Sequence, residues 1–533
     1  MTTEPVDTFI RDRLPPADQQ PEFLFDLPEF DYPERLNAAV ELIDKGDPNA
    51  LAVLNDSGSW TYRQMSDWSD RIARLLAEDE ALVPGNRVLL RGPNCATMFA
   101  AWLGILKAGG VVVATMPILR AGEIRTIIDR AEVSHAIVDS RYLDDYRSAA
   151  GSAAKTPKLV TYDGDSGGEL EDRLRRVAPG FKAVETHRDD VALVAFTSGT
   201  TGRAKGCVQF HRDVLIPADG FARHILQPQP GDRWACSAPI AFTFGLGMLL
   251  IFPWRFGGTA VTVEQPGPRA LLEAVEKYRV TTLATAPTAY KVMTGIVDEH
   301  DISTLRTCVS AGEHLPVATW HAWHEATGHR LIDGIGATEM MHIFISASGD
   351  AIRPGSTGKA VPGYRTAVLD EDNAFRPSGS GRLAVKGPTG CRYFDDERQR
   401  DYVVAGWNIT GDTFRIDDDG YCWFVARSDD MIISSGYNVA APEVENALLL
   451  HPSVVECAVV GVPCPERGQK VKAFVILAGS ITGDAVLAKA LQDQVKAAIA
   501  PYKYPREIEF VAELPKTLTG KLQRFALRHK ASS

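Results

Sequence analysis

The chain has 533 residues, 45% hydrophobic and 23% charged, with 57 Lys and Arg against 68 Asp and Glu for a formal net charge of −11. At roughly 100 to 200 residues per domain this length predicts about three or four units of ordinary globular composition, which excludes a disordered or fibrous chain. An acidic chain offers no overall field to nucleic acid or an anionic membrane, so any anionic ligand must be held by local donors.

The N-terminus, MTTEPVDTFIRDRLPP, mixes acids with Pro and lacks the basic-then-apolar profile of a signal peptide. From Trp60 onward helical and strand patterns alternate: a 3.6-period run over Tyr62 to Leu82, then RVLLRG, NCATMFAAWLGILKAG, VVVATM, EIRTIIDRAE and HAIVD. Short apolar strands between helices predict a mostly parallel sheet covered on both faces. The polar stretch from Gly151 to Val184 reads as a surface loop. Strand candidates resume at 191–196, 281–286, 306–312 and 330–336, separated by helical runs such as PRALLEAVEKYR. From about 355 to 428 short β-like runs with Gly and Pro turns predict a small β-rich subdomain, and the remaining ~100 residues are long enough for a domain of their own.

The expected fold is therefore α/β: a large N-terminal body of several subdomains over 1–428, then an α+β C-terminal domain over 429–533. The longest apolar stretches, Val111 to Leu119 and Gly245 to Phe252, fall short of the ~20 residues that span a bilayer. Cys95, Cys207, Cys236, Cys308, Cys391, Cys422, Cys457 and Cys464 form no Cys-x-x-Cys pair and read as reduced. A cytoplasmic protein is expected, monomeric or homodimeric, with no nucleic-acid or membrane partner.

The first segment able to carry chemistry is TSGTTGRAKG, Thr197 to Gly206, directly after an apolar strand. Its glycines let the backbone approach a ligand, while Ser198, Thr200, Thr201 and free N–H groups can donate to phosphate oxygens, with Lys205 adding charge. It departs from the Walker A pattern, because Ala204 and Gly206 flank the lysine where Gly and Ser/Thr would stand. Further on, DGIGATEM places Thr338 and Glu339 at a strand's C-terminal edge, where open α/β sheets bind ligands and where a hydroxyl and a carboxylate can grip a phosphate and its Mg²⁺. Two tempting signals carry less. WHAWHEATGHR reads as an amphipathic helix rather than a metal site, and Asp417 to Gly420 as a hairpin turn rather than a calcium loop.

TSGTTGRAKG resembles the phosphate loop of the adenylate-forming superfamily, whose other signature segments follow in order over nearly the whole chain. The resemblance implies that Thr197, Ser198, Gly199, Thr200, Thr201, Gly202 and Lys205 hold the β- and γ-phosphates of ATP, that Thr338 contacts the α-phosphate and that Glu339 holds Mg²⁺. It places Ala311, Gly312 and Glu313 along the adenine edge with Asp333, Gly334, Ile335 and Gly336, where Ile335 replaces the Tyr of many relatives. Asp412 and Arg427 would bind the ribose, Asp429 would be the hinge of a mobile C-terminal domain, and Ser435, Gly436 and Tyr437 would line the coenzyme A tunnel. Lys521, in PKTLTGK, would bridge the substrate carboxylate and the α-phosphate during adenylation.

The acyl pocket is expected from Ala241, Phe242, Thr243, Phe244 and Gly245 together with His342 and Ile343. Thr243 follows Phe242 where amino-acid-activating relatives carry Asp, so an α-amino acid is not expected, and the two phenylalanines suit an aromatic ring. The segments look closest to benzoate-type CoA ligases, and the N-terminal stretch resembles the 2-aminobenzoate branch. The implied activity is an ATP- and Mg²⁺-dependent aryl-CoA ligase using CoA as cosubstrate. The alternatives are a medium- or branched-chain acyl-CoA synthetase, a non-catalytic nucleotide sensor, and an enzyme that loads a carrier protein.

Overall fold

The computed structural model describes residues 5–197, 204–427, 430–434, 437–464, 468–479, 481–499, 501–516 and 522–532. The alternating segments build a six-stranded sheet in the order Lys158–Tyr162, His135–Asp139, Arg87–Arg91, Val111–Thr115, Val191–Thr197, Lys205–Phe210. All pairs are parallel except the last, which is antiparallel. Arg87–Arg91 is buried along its whole length, as a parallel strand covered on both faces should be. Helix Ala96–Lys107 is apolar except for Thr97 and Lys107, and all twelve of its residues are buried.

That helix has no side-chain cap from its own N-cap residue, Cys95. Its first N–H groups donate instead to Asp165, Ala96 at 3.1 Å and Thr97 at 2.8 Å. Asp165 belongs to the 151–184 stretch, and the expectation of a plain surface loop there is corrected. The stretch contains strand Lys158–Tyr162, at the edge of the sheet, and helix Glu169–Leu174. An edge strand alternates exposed and buried residues, so its composition passes for a polar loop.

A second sheet of nine strands runs in the order Lys359–Ala360, Ile343–Ser346, Leu331–Gly336, Thr307–Ala311, Thr282–Thr285, Arg233–Cys236, Thr259–Val261, Leu51–Asn55, Gly58–Thr61. Its centre is parallel, with antiparallel pairs only at the two ends. Leu271, Val275, Leu283, Tyr290 and Trp323 form part of the core against it.

The chain divides into two compact units, Met1–Thr366 with Val385–Ile409, and Ala367–Ala384 with Thr410–Ser533. The β-rich segment read at 355–428 is thus shared between them. Residues 385–409 stay with the first unit because Cys391 and Tyr393 are buried against Cys207 there. In the second unit Cys422–Arg427 closes a hairpin on residues 412–416 and packs on helix Ala441–Leu449. The turn of that hairpin is Asp417 to Gly420, as expected, with Gly420 N donating to Asp417 O at 2.9 Å. The C-terminal strands run in the order Tyr437–Ala440, Met431–Ser434, Gly468–Leu477, Val454–Cys464, with Glu507–Phe510 parallel to Gly468–Leu477. Among the described residues no helix is long and apolar enough to cross a membrane.

Candidate active site

Strands Val191–Thr197 and Lys205–Phe210 pair so that Thr197 faces Lys205, which brings the two ends of the glycine-rich loop together. Ser198, Gly199, Thr200, Thr201 and Gly202 lie outside the described residues. Thr197 Oγ1 is buried with no hydrogen-bond partner among the described residues. Gly206 is required by close approach: a Cβ there would lie 2.1 Å from the Phe394 ring, so segment 391–394 rests directly on the strand that carries Lys205.

Glu339 and Thr338 are in the single turn Thr338–Met340 that follows strand Leu331–Gly336. The turn is held from the neighbouring sheet by Gln209, whose Nε2 donates to Thr338 O at 2.9 Å. The chain then passes through Met341 at φ 67°, a strained value for a residue with a side chain, and returns antiparallel as Ile343–Ser346. This return explains the Gly-Ile-Gly sequence. A Cβ on Gly334 would lie 2.6 Å from the Ile343 side chain, and one on Gly336 would lie 2.7 Å from His342 O.

Lys205 and Glu339 meet through a residue that the sequence reading missed. Lys205 Nζ donates to Tyr393 Oη at 2.8 Å, and that hydroxyl donates in turn to Glu339 Oε1. Direct approach of Lys205 Nζ to Glu339 Oε1 stops at 3.8 Å. The ammonium also lies 4.7 Å from the Tyr393 ring centre and 5.9 Å from that of Tyr402. Burial first, and then the Glu339 charge, push the Tyr393 phenol far above its ordinary range, so it stays protonated. Glu339 Oε2 accepts no hydrogen bond from any described residue. One held and one open hard oxygen, beside a cation and at a strand end, fit a Mg²⁺ that binds one or two carboxylates and takes its other ligands from phosphate and water.

The proposed adenine segments are neighbours at the C-terminal ends of parallel strands. Ser310 pairs with Asp333 and Ala311 with Gly334. Gly312 adopts φ 91° with open space around it, and Glu313 accepts from Thr288 Oγ1 at 2.7 Å. Asp333 Oδ1 is buried without a partner among the described residues, and burial raises its carboxyl to about 7. Ile335 is half-buried.

The expected acyl residues fall into two adjoining groups. Ala241 and Thr243 line a small recess against Trp102, Val112, Ala195 and Ile240. Phe244 belongs to a cage around His342, whose ring centre lies 5.7 Å from that of Phe244, 5.5 Å from Phe221 and 4.6 Å from Phe252. His342 is 3% exposed, and burial lowers its pKa to about 3, so it is neutral. Its Nε2 lies 3.3 Å from Phe244 O, which puts the proton there and leaves Nδ1 a buried acceptor without a partner among the described residues. Phe242 is half-buried beside this segment, and Gly245 is required, because a Cβ there would lie 2.3 Å from Pro239 O.

In the second unit, Asp412 and Arg427 face each other across the hairpin, with Nε to Oδ1 at 3.8 Å. Lys521, Asp429, Ser435 and Gly436 lie outside the described residues, and Tyr437 opens the strand Tyr437–Ala440.

The profile of the family described as AMP-binding enzyme matches residues 41–393, and that of the AMP-binding enzyme C-terminal domain matches 443–521. A benzoate–CoA ligase of Thauera aromatica is 36% identical over 94% of this chain and 97% of its own length. A mitochondrial acyl-coenzyme A synthetase of Homo sapiens is 31% identical over 93% of this chain and 90% of its own. The crystal structure of an anthranilate CoA ligase in complex with anthranoyl-AMP superposes with a TM-score of 0.90 at 34% identity, covering 95% of this chain and 99% of that one.

Proposed function

The chain belongs to the AMP-binding enzyme family, and on that basis we propose that it is an aryl-CoA ligase acting on benzoate or 2-aminobenzoate. It activates the carboxylate as an acyl-adenylate with ATP and then passes the acyl group to the thiol of CoA, releasing pyrophosphate and AMP. A carboxylate is a poor acylating agent, and the attack brings two anions together, so the work of the protein is positioning and charge neutralisation. Lys205 and the donors of the 197–205 loop hold the β- and γ-phosphates, Thr338 orients the α-phosphate, and Asp333 and Ala311 to Glu313 border the adenine. A bound Mg²⁺ on Glu339 would neutralise phosphate charge.

The roles of Lys521 in adenylation, of Asp429 as the hinge between 1–428 and 429–533, of Asp412 and Arg427 on the ribose, and of Ser435, Gly436 and Tyr437 in the CoA tunnel rest on their motifs. The protein works in the cytoplasm, as a monomer or homodimer.

The observation that carries the substrate class is the uncharged His342 caged by three aromatic rings next to Ala241 and Thr243. Among the described residues no buried anion waits there for an ammonium group, and flat apolar walls favour a ring. The unpartnered Nδ1 can accept an N–H from an ortho-amino group, which is neutral on an aniline. ATP- and CoA-dependent AMP release across substituted benzoates and C6 to C8 fatty acids tests this. A higher kcat/KM for the fatty acids would instead favour the second reading, a medium- or branched-chain synthetase, which the similarity to the human acyl-coenzyme A synthetase supports.

A further inference from the structure

Tyr393 stands between the two charges on which the proposed reaction depends, and its surroundings leave it little freedom. Its side chain is 1% exposed. Its N–H donates to Gln399 Oε1 at 2.9 Å, and Gln399 Nε2 reaches Gln19 O at 2.9 Å and Cys391 O at 3.1 Å. On one side Arg392 is locked between the rings of Phe23 and Phe210, at 4.1 and 4.2 Å, and donates to Asp213 at 2.6 Å. On the other, Phe394 N donates to Gly206 O at 3.2 Å. The segment is therefore bolted to the strand that bears Lys205, and Tyr393 Oη is fixed relative to that strand.

The charges it separates have opposite destinations. An ammonium and a carboxylate 3.8 Å apart, both mostly out of water, attract strongly and would close to a direct pair. A direct pair would occupy the donor meant for phosphate and the oxygen meant for metal. The phenol prevents this by giving each charge one hydrogen bond, which leaves two of the three Lys205 N–H groups and Glu339 Oε2 for other partners.

We propose that Tyr393 is a positioning residue for MgATP: its hydroxyl keeps Lys205 and Glu339 apart and aimed, so that they receive the polyphosphate and its metal rather than each other. The inference rests on the reading of Lys205 and Glu339 given above.

The test is Tyr393→Phe in the full chain, which keeps the ring and removes only the hydroxyl. Binding of MgATP is measured by calorimetry without acid or CoA, so that no turnover occurs, and AMP is titrated separately. The expected result is a rise of about tenfold in the MgATP Kd, with a higher Mg²⁺ concentration for half-saturation and AMP affinity kept within about twofold. In Lys205→Ala, the added Tyr393→Phe change should have little further effect, because the two act as one unit.

Unchanged MgATP binding in Tyr393→Phe overturns the proposal, as does an equal loss of MgATP and AMP, which would mark general damage. Fully additive effects with Lys205→Ala overturn it too. Failure of the unaltered protein to bind MgATP would instead remove the reading of Lys205 and Glu339 on which the proposal stands.

Discussion

His211 gives the structure a measurable acid weakness. Its ring is enclosed in the first unit, where Nδ1 accepts the Ala38 N–H at 3.1 Å, and burial lowers its pKa to about 3. In the unfolded chain the same ring titrates near 6.5, so below that pH the unfolded state binds a proton that the folded state refuses. The stabilising contribution is complete above pH 6.5 and is lost as pH falls toward 3. The slope is about 1.4 kcal/mol per pH unit, which amounts to about 3 kcal/mol between pH 6.5 and pH 4. Replacing His211 with Asn keeps a hydrogen-bond acceptor and removes the titration. Urea unfolding followed by tryptophan fluorescence between pH 4 and 7 reads the first unit, which holds eight of the nine tryptophans. Whatever the baseline stability of His211→Asn, its dependence on pH between 4 and 6 should be shallower than that of the unaltered protein by about 1.4 kcal/mol per unit. Parallel pH profiles would refute the buried neutral ring.

Asp333 works in the opposite direction, because its folded pKa, about 7, lies above the unfolded carboxylate value. It favours the folded state most below about pH 4 and loses that contribution as pH rises toward 7, so Asp333→Asn should steepen the same acid profile; an unchanged or shallower one counts against it. Asp165→Ala removes the acceptor of two N–H groups at the start of a fully buried helix, and should cost about 3 kcal/mol in urea unfolding, with Asp165→Asn recovering part of the loss. A loss under about 1 kcal/mol would mean that other groups cap that helix. Gly336→Ala forces a Cβ against the His342 carbonyl and should displace the Thr338–Glu339 turn. AMP release should fall at least tenfold with the urea midpoint little changed, and normal turnover would show that the turn tolerates the shift. Lys521→Ala should abolish adenylation yet keep thioester formation from supplied acyl-adenylate; equal loss of both half-reactions would contradict separate conformations for the two steps.

Much of the first unit is legible along the chain because its strands are continuous apolar runs and its helices obey a 3.6-residue period, which is how RVLLRG and VVVATM announce a parallel sheet. Lys158–Tyr162 escapes because an edge strand is exposed on alternate residues. The nucleotide motifs are legible as local strings, since the backbone turns and the functional side chains occupy consecutive positions. Tyr393 is not: it lies 188 residues from Lys205 and 54 from Glu339, and its role exists only once three separate segments meet. The nearest sequence signal is an aromatic residue directly after the buried Cys391 and Arg392 in a turn-rich stretch, which by itself reads as packing. The His342 cage is hidden for the same reason. Phe221, Phe244 and Phe252 come from the 218–252 region and the histidine from beyond Glu339, and no periodicity links them.

Charge placement resolves the problem that the composition poses. A chain with a net charge of −11 is expected to repel ATP, CoA and a carboxylate. Among the described residues at the proposed phosphate site, however, the Lys205 ammonium is offset by the Glu339 carboxylate, with the neutral Tyr393 phenol between them. A pair of opposite charges attracts no anion from a distance, so its part in capture comes from contacts made at close range. On the proposed reading, a divalent ion held by Glu339 would cancel the carboxylate charge and make the positive potential of Lys205 available to phosphate. Metal and nucleotide would then favour each other's binding, whereas free ATP without metal would meet a Lys205 whose charge is already offset by Glu339. The expected signature is ATP affinity that rises steeply with Mg²⁺ in the unaltered protein and much less steeply in Glu339→Gln, where no carboxylate charge has to be cancelled. Equal Mg²⁺ dependence in the two proteins would place the ion elsewhere.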